Sequence, residues 1–394
     1  MYRIKTMNKI SPLGIELFSG GKYEVGADVL QPDAILVRSA DLHKVELPPS
    51  VLAIARAGAG VNNIPLAACS ERGIVVFNTP GGNANAVKEL TIAALLLSSR
   101  NILGGWNWAG TLGEKDDSIS ERVEKEKSSF EGPELKGKTL GVVGLGAIGV
   151  MVANDAVALG MNVAGYDPYI SVEAAWNLSR SVERADTLEE LLARSDYITL
   201  HLPLGDGTRG LIDKAKLALL KPSSRLVNLS RGALVQESAV IEALEAGKLA
   251  RYITDFPSAA LLACKNAVCI PHLGASTPEA EDNCAIMAVR QLIDFLETGT
   301  VRNSVNFPKC KLEFRSPCRL LVANRNIPNM VGQITTILAG GAINITDLIN
   351  HHLGEYAYNI IDTEQPIPAN LVEEIKSIDG IVRVRELSAG AVRR

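Results

Sequence analysis

The chain lacks any apolar run long enough to cross a bilayer. Its longest such stretch, Ile92 to Leu97, falls far short of the roughly 20 residues that a spanning helix needs, so no membrane partner is expected. Met1 to Ile10 has no apolar centre of the kind a signal peptide carries. Long basic runs are missing too: 40 Lys+Arg stand against 44 Asp+Glu for a net charge of −4. That balance argues against nucleic acid as a partner. An anionic substrate would have to be met by a few placed cations. The six cysteines, at 69, 264, 269, 284, 310 and 318, form no CxxC pair and no His-Cys cluster with zinc spacing. No metal is expected, and reduced thiols in a cytoplasm are the simple reading. There is no tandem repeat and no low-complexity tract.

What is present is an ordinary globular composition, 47% hydrophobic and 21% charged over 394 residues, enough for two or three domains. Four-residue apolar runs at Ala34–Val37, Leu52–Ala55 and Ile74–Phe77 each end in a polar or glycine-containing turn, as buried parallel strands do. Asn85 is placed to cap a helix that reaches about Arg100. A second series of strands begins at Leu140–Val143 and continues through Asn162–Tyr166, Tyr197–Leu200, Arg225–Asn228, Ala250–Thr254 and Ala267–Ile270, with helical stretches between. That alternation describes a doubly wound sheet. Beyond Phe307 to Lys311 the order of elements is βαββαβ, a ferredoxin-like pattern.

Leu140–Val143 runs into Gly144-Leu145-Gly146-Ala147-Ile148-Gly149, the GxGxxG fingerprint in its required strand-to-helix setting. Gly144 allows the tight turn, Gly146 lets a pyrophosphate approach the backbone, and Gly149 allows close helix–strand packing. Asp167 follows Gly149 by 18 residues at the end of the next strand, where a carboxylate accepts ribose hydroxyls and repels a 2′-phosphate. NAD is therefore the expected cofactor. Three further segments follow strands: Leu229-Ser230-Arg231-Gly232, Thr254-Asp255-Phe256-Pro257 and Pro271-His272-Leu273-Gly274-Ala275-Ser276-Thr277. Arg offers a planar fork to a carboxylate, and His exchanges a proton near neutrality.

The fingerprint and these three segments resemble the D-isomer 2-hydroxyacid dehydrogenase family over about residues 1–305. The resemblance implies that Arg231 holds the substrate carboxylate and that His272 is the general base. It also implies cofactor contacts at Ala59, Gly144, Gly146, Ala147, Ile148, Gly149, Asp167, Leu202, Pro203, Leu229, Ser230, Asp255, Gly274 and Ala275. One departure stands out. The acidic residue that the family places after the DFP-like segment, bonded to the histidine, is replaced here within Pro257-Ser258-Ala259-Ala260. The first domain offers Arg38, Ser39, Arg56, Gly58, Asn83 and Lys88 at strand ends for an anionic substrate. That many cations suit a substrate with both a carboxylate and a phosphate, which favours oxidation of 3-phospho-D-glycerate, the opening step of serine biosynthesis. Other D-2-hydroxy acids, hydroxypyruvate reduction, and a non-catalytic NAD sensor that tolerates Ala259 are the alternatives.

Residues 318–394 resemble an ACT domain, an amino-acid-binding module. The resemblance implies a possible L-serine effector near Asn324, Asn326 and Asn344, and a homodimer or homotetramer. The expected architecture is thus two doubly wound (flavodoxin-like and Rossmann) α/β domains plus a ferredoxin-like ACT domain. A substrate domain covers 1–100, completed by 275–305. An NAD-binding Rossmann domain covers 101–274, a linker 306–317 and the regulatory tail 318–394.

Overall fold

The computed structural model describes residues 1–113 and 118–388. The last six residues of the expected tail, and four within the expected Rossmann domain, lie outside the described residues. The chain divides into two compact units, Met1–Asn83 with Pro278–Arg394, and Ala84–Thr277.

The first unit holds two sheets. One is parallel, built from β1 (Tyr2–Met7), β2 (Tyr23–Gly26), β3 (Ala34–Val37), β4 (Ala53–Arg56) and β5 (Val75–Phe77), in the order β2-β1-β3-β4-β5. The apolar runs become β3, β4 and β5, buried on both faces, as strands of a parallel sheet covered by helices must be. β1 and β2 escape that reading because Tyr2-Arg3-Ile4-Lys5-Thr6-Met7 mixes charge with apolar residues.

The second unit carries a seven-stranded parallel sheet. Its strands are β6 (Thr139–Val143), β7 (Asn162–Tyr166), β8 (Val182–Arg184), β9 (Tyr197–Leu200), β10 (Arg225–Asn228), β11 (Arg251–Thr254) and β12 (Ala267–Cys269), in the order β12-β11-β10-β9-β6-β7-β8. The winding reverses between β9 and β6. Open α/β sheets bind their ligands outside the carboxyl ends of the strands at such a switch point. The helix before this sheet runs Ala84–Ser99. Asn85 lies inside its first turn rather than at its cap, donating from Nδ2 to Glu89 Oε1 at 2.8 Å.

The tail forms a four-stranded antiparallel sheet from β13 (Cys318–Arg325), β14 (Ile345–Leu353), β15 (Tyr356–Thr363) and β16 (Ile381–Ser388), ordered β14-β15-β13-β16. Helices Met330–Gly340 and Ala369–Lys376 interleave with these strands to complete the βαββαβ order. Alternate residues of β13 serve two cores. Leu320 and Val322 pack with Ile334, Leu338 and Ile375. Leu321 and Ala323 join Val75, Phe77 and Phe295 of the first parallel sheet and its covering helix. β13 is therefore buried on both faces, whereas β14 at the sheet edge is largely exposed. Residues 306–317 carry Phe307 and Cys310 at full burial, and Cys310 pairs with Val301 in a short bridge.

Arg319 closes this joint. Its guanidinium meets Asp362 through Nε–Oδ1 at 2.6 Å and Nη2–Oδ2 at 2.8 Å. Nη1 donates to the carbonyls of Thr298 and Leu312, and the plane lies over Phe314. Both partners are almost wholly buried. Removing one partner of such a pair strands a charge and costs about 3–5 kcal/mol. Arg319→Met is expected to lower the thermal midpoint by several degrees, while Arg319→Met combined with Asp362→Leu recovers much of the loss. A thermal scan of the two variants checks this.

Candidate active site

The second unit assembles the fingerprint as its residues require. Gly144 sits at φ +92°, and a Cβ there would stand 2.6 Å from the His201 carbonyl oxygen. At Gly149 a Cβ would stand 1.9 Å from the Gly144 carbonyl oxygen. By contrast a Cβ on Gly146 meets nothing within 4 Å. Gly146 therefore opens the N-terminus of the helix Ala147–Ala158, whose first amide N–H groups lack partners within the helix and attract anions. Asp167 is held by the same loop: Oδ2 accepts from Leu145 N at 2.8 Å and Oδ1 from Tyr169 N at 2.9 Å. Exposed Gly146 and Ala147 and a carboxylate at the end of β7 fit the diphosphate and adenosine ribose of NAD. Leu202 closes over Gly144, and the Pro203 carbonyl accepts from Thr208.

Arg231, Asp255 and His272 follow β10, β11 and β12, three neighbouring strands. Asn228 Nδ2 donates to the Arg231 carbonyl at 2.9 Å, fixing the loop backbone. Leu229 is buried, and Ser230 Oγ donates to Leu200 O at 2.7 Å. Asp255 is 1% exposed. Neither of its carboxylate oxygens has a hydrogen-bond partner among the described residues. Burial pushes its carboxyl above the ordinary carboxylate range, against the opposing pull of His272 and Arg231. Its Oδ2 lies 3.9 Å from His272 Nε2. The imidazole also packs against Phe256, with ring centroids 5.0 Å apart and the planes tilted by 59°. Gly274 packs on Val87 and lies near Asp255 Oδ2; Ala275 follows it.

Ala259 and Ala260 open the short helix Ala259–Ala263, capped by Ser258, and bring no carboxylate. Ser258 Oγ donates to Glu237 Oε1 at 2.9 Å. The family resemblance implies only a cofactor contact for Asp255. In the structure Asp255 is also the carboxylate that faces His272.

Lys88 Nζ lies 2.9 Å from Asp155 Oδ2 with the side chain largely buried, so the anion beside this cation is a carboxylate on the helix Ala147–Ala158.

His201 was missed. It follows β9, its Nδ1 is buried without a partner among the described residues, and Nε2 meets Thr199 Oγ1 at 3.0 Å. Burial pulls its pKa down to about 4. An unfolded histidine titrates near 6.5, so the folded state resists protonation. The resulting stability is complete above about pH 6.5 and is lost as pH falls towards about 4, a swing of roughly 3 kcal/mol. In His201→Gln that part of the acid destabilisation is expected to vanish. Unfolding midpoints across this pH window decide it.

In the first unit, the loops after β3, β4 and β5 bring Arg38, Ser39, Arg56, Gly58, Ala59 and Asn83 to one sheet end. Arg56 Nε donates to the Arg38 carbonyl at 3.0 Å, and its Nη1 would lie 2.5 Å from a Cβ on Gly58. Gly58 therefore makes room for that guanidinium. Arg38 Nη2 pairs with Glu281 Oε1 at 2.7 Å. Asn78 Nδ2 donates to the Ala59 carbonyl at 2.7 Å.

In the tail, Asn324 is committed to the sheet. It is 1% exposed, and its Oδ1 accepts from Asn359 Nδ2 at 2.7 Å. Its expected effector role is corrected accordingly. Asn326 donates to Gly354 O, and Asn344 is exposed. Asn329 takes φ 68°, ψ 13°, a left-handed geometry that Asn tolerates better than most residues.

Among the described residues no cluster of His, Cys, Asp and Glu could hold a metal ion, and no helix is long and apolar enough to cross a membrane.

Residues 106–274 match the family model described as D-isomer specific 2-hydroxyacid dehydrogenase, NAD binding domain. A D-3-phosphoglycerate dehydrogenase of Methanocaldococcus jannaschii is 36% identical over 85% of this chain, which spans 62% of that relative's length. A D-3-phosphoglycerate dehydrogenase of Haemophilus influenzae is 31% identical, covering 87% of this chain and 83% of the relative. The NAD+-bound 3-phosphoglycerate dehydrogenase of Entamoeba histolytica superposes with a TM-score of 0.60 at 28% identity, covering 77% of this chain and 98% of its own. With the Gly-rich loop, Asp167, Arg231 and His272 in the places described, the chain belongs to the D-isomer specific 2-hydroxyacid dehydrogenase family.

Proposed function

We propose that this protein is an NAD-dependent D-3-phosphoglycerate dehydrogenase, oxidising 3-phospho-D-glycerate to 3-phosphohydroxypyruvate in serine biosynthesis. The observation that carries the reading is the set Arg231, Asp255 and His272 on adjacent strand ends, in the same sheet as an open fingerprint loop.

Bound NAD supplies the hydride acceptor. Arg231 presents its fork to the substrate carboxylate and orients the C2 hydroxyl. His272 takes the hydroxyl proton on Nδ1, the nitrogen that does not face Asp255. The buried Asp255 carboxylate then stabilises the imidazolium, so that His272 does not need an acid at position 259. Within the first unit, Arg38 and Arg56 at one sheet end supply positive charge suited to an anionic group. Asp167 disfavours a 2′-phosphate, which selects NAD over NADP.

The tail's exposed Asn326 and Asn344 and its left-handed turn at Asn329 support an L-serine effector site, tested by a rise in thermal midpoint with serine. The six free cysteines support a cytoplasmic setting, and a homodimer or homotetramer is the assembly we propose. A panel of D-2-hydroxy acids, with and without a phosphate, tests the substrate class. 3-Phosphoglycerate should give the highest kcat/KM. A clear preference for an unphosphorylated acid would move the assignment to another dehydrogenase of the family, and NAD binding without turnover of any acid would favour a sensor.

A further inference from the structure

The amino ends of β10 and β11 hold a pair of arginines that the dehydrogenase reading does not use. Arg225 and Arg251 are the first residues of the two strands and stand opposite one another in the parallel register. Together with Ser98, Asn101 and Glu131 they line a cavity of about 110 Å³. Arg225 is held in place. Its Nε donates to Ser98 O at 2.7 Å, its Nη1 to Ser223 O at 2.8 Å, and its guanidinium lies over the Tyr197 ring. Arg251 donates from Nη1 to Leu97 O at 3.2 Å.

Among the described residues neither arginine forms an ion pair with a carboxylate, although Glu131 borders the cavity. Two guanidiniums side by side and half out of water repel one another. Burial and then the neighbouring Arg225 hold the Arg251 guanidinium below its ordinary range. Two of the arginine contacts go to carbonyls in the last turn of the helix Ala84–Ser99. Such a helix end carries only about half a negative charge, which does not balance two full positive ones. Each guanidinium also keeps further N–H donors in a planar fork that matches an oxyanion.

We propose that this cavity is a binding site for a small phosphate-type oxyanion, either inorganic phosphate or the phosphoryl group of a small metabolite. It is separate from the catalytic residues. β10 and β11 run from Arg225 and Arg251 towards Arg231 and Asp255, so the cavity lies at the other edge of the sheet, about 10 Å away along the strands alone.

The test is the thermal midpoint of the full chain in chloride and in phosphate at matched ionic strength, repeated with glycerol phosphate to separate the two sources. Wild type and Arg231→Gln should gain several degrees in millimolar phosphate. Arg251→Gln should gain nothing, and Arg251→Lys should keep part of the gain. The midpoint of each variant in chloride shows whether it is folded. Three results would overturn the proposal. One is a gain that survives Arg251→Gln. Another is a gain lost in Arg231→Gln, which would put the anion among the catalytic residues. The last is dissociation of Arg251→Gln into smaller species with no phosphate effect on any form, which would make the pair a contact between subunits.

Discussion

Asp255→Asn is expected to lower kcat by about 10²-fold while leaving the fold intact or slightly more stable. The catalytic loss follows from the charge. When His272 takes a proton, the positive charge forms 3.9 Å from Asp255 Oδ2. Two unit charges at that distance attract by about 4 kcal/mol at an effective dielectric near 20, or roughly three powers of ten in rate. The His272 side chain is 62% exposed, so solvent screens part of this and about two powers remain. The gain in stability follows from the same burial: the native carboxylate sits in the interior with no hydrogen-bond donor among the described residues, a costly state that a neutral amide relieves. KM for NAD should change far less than kcat, because the amide keeps an oxygen acceptor. A kcat close to wild type would mean that His272 works without Asp255.

The second large effect separates two glycines of the fingerprint, Gly146 and Gly149. Gly149→Ala places a methyl group where the structure has 1.9 Å to a backbone oxygen of Gly144. Neither group is a flexible side-chain end, so the loop must leave the helix. Overpacking of this kind costs about 1–3 kcal/mol or more, and both the thermal midpoint of the free protein and NAD affinity should fall. Gly146→Ala meets no protein atom within 4 Å. The midpoint of the free protein should hold, while NAD affinity drops by about tenfold or more because the methyl stands in the path of the diphosphate. Calorimetric titration with NAD beside a thermal scan reads both quantities. Equal behaviour of the two variants would contradict this account of the loop.

The fingerprint was legible because its chemistry is local. Glycine spacing, a strand before it and a carboxylate ending the next strand are all short-range facts, and the structure repeats them at Gly144, Gly146, Gly149 and Asp167. The buried strands were legible from their apolar runs, with boundaries off by a residue at β4, β5, β6, β11 and β12. What was not legible depended on distant partners. Lys88 lies in the first turn of its helix, but Asp155, which engages it, is 67 residues further along. Asn324 looked free until β15 brought Asn359 beside it. The burial of both faces of β13 requires a second sheet that no pattern in residues 318–325 names. The loss of an acid near Ala259 was visible in the sequence. That Asp255 faces His272 was not, since strand order across β11 and β12 places them together.

The central claim is that His272, with Arg231 and Asp255, carries out an NAD-dependent oxidation of 3-phosphoglycerate. The direct measurement is the initial rate of NADH formation from 3-phosphoglycerate and NAD for wild type and His272→Ala, with NAD binding measured in both. The account predicts turnover in wild type, a loss of about 10²–10⁴-fold in the variant, and equal NAD affinity. Turnover that is unchanged in His272→Ala, or NAD binding by wild type with no turnover of 3-phosphoglycerate at any pH, would contradict it.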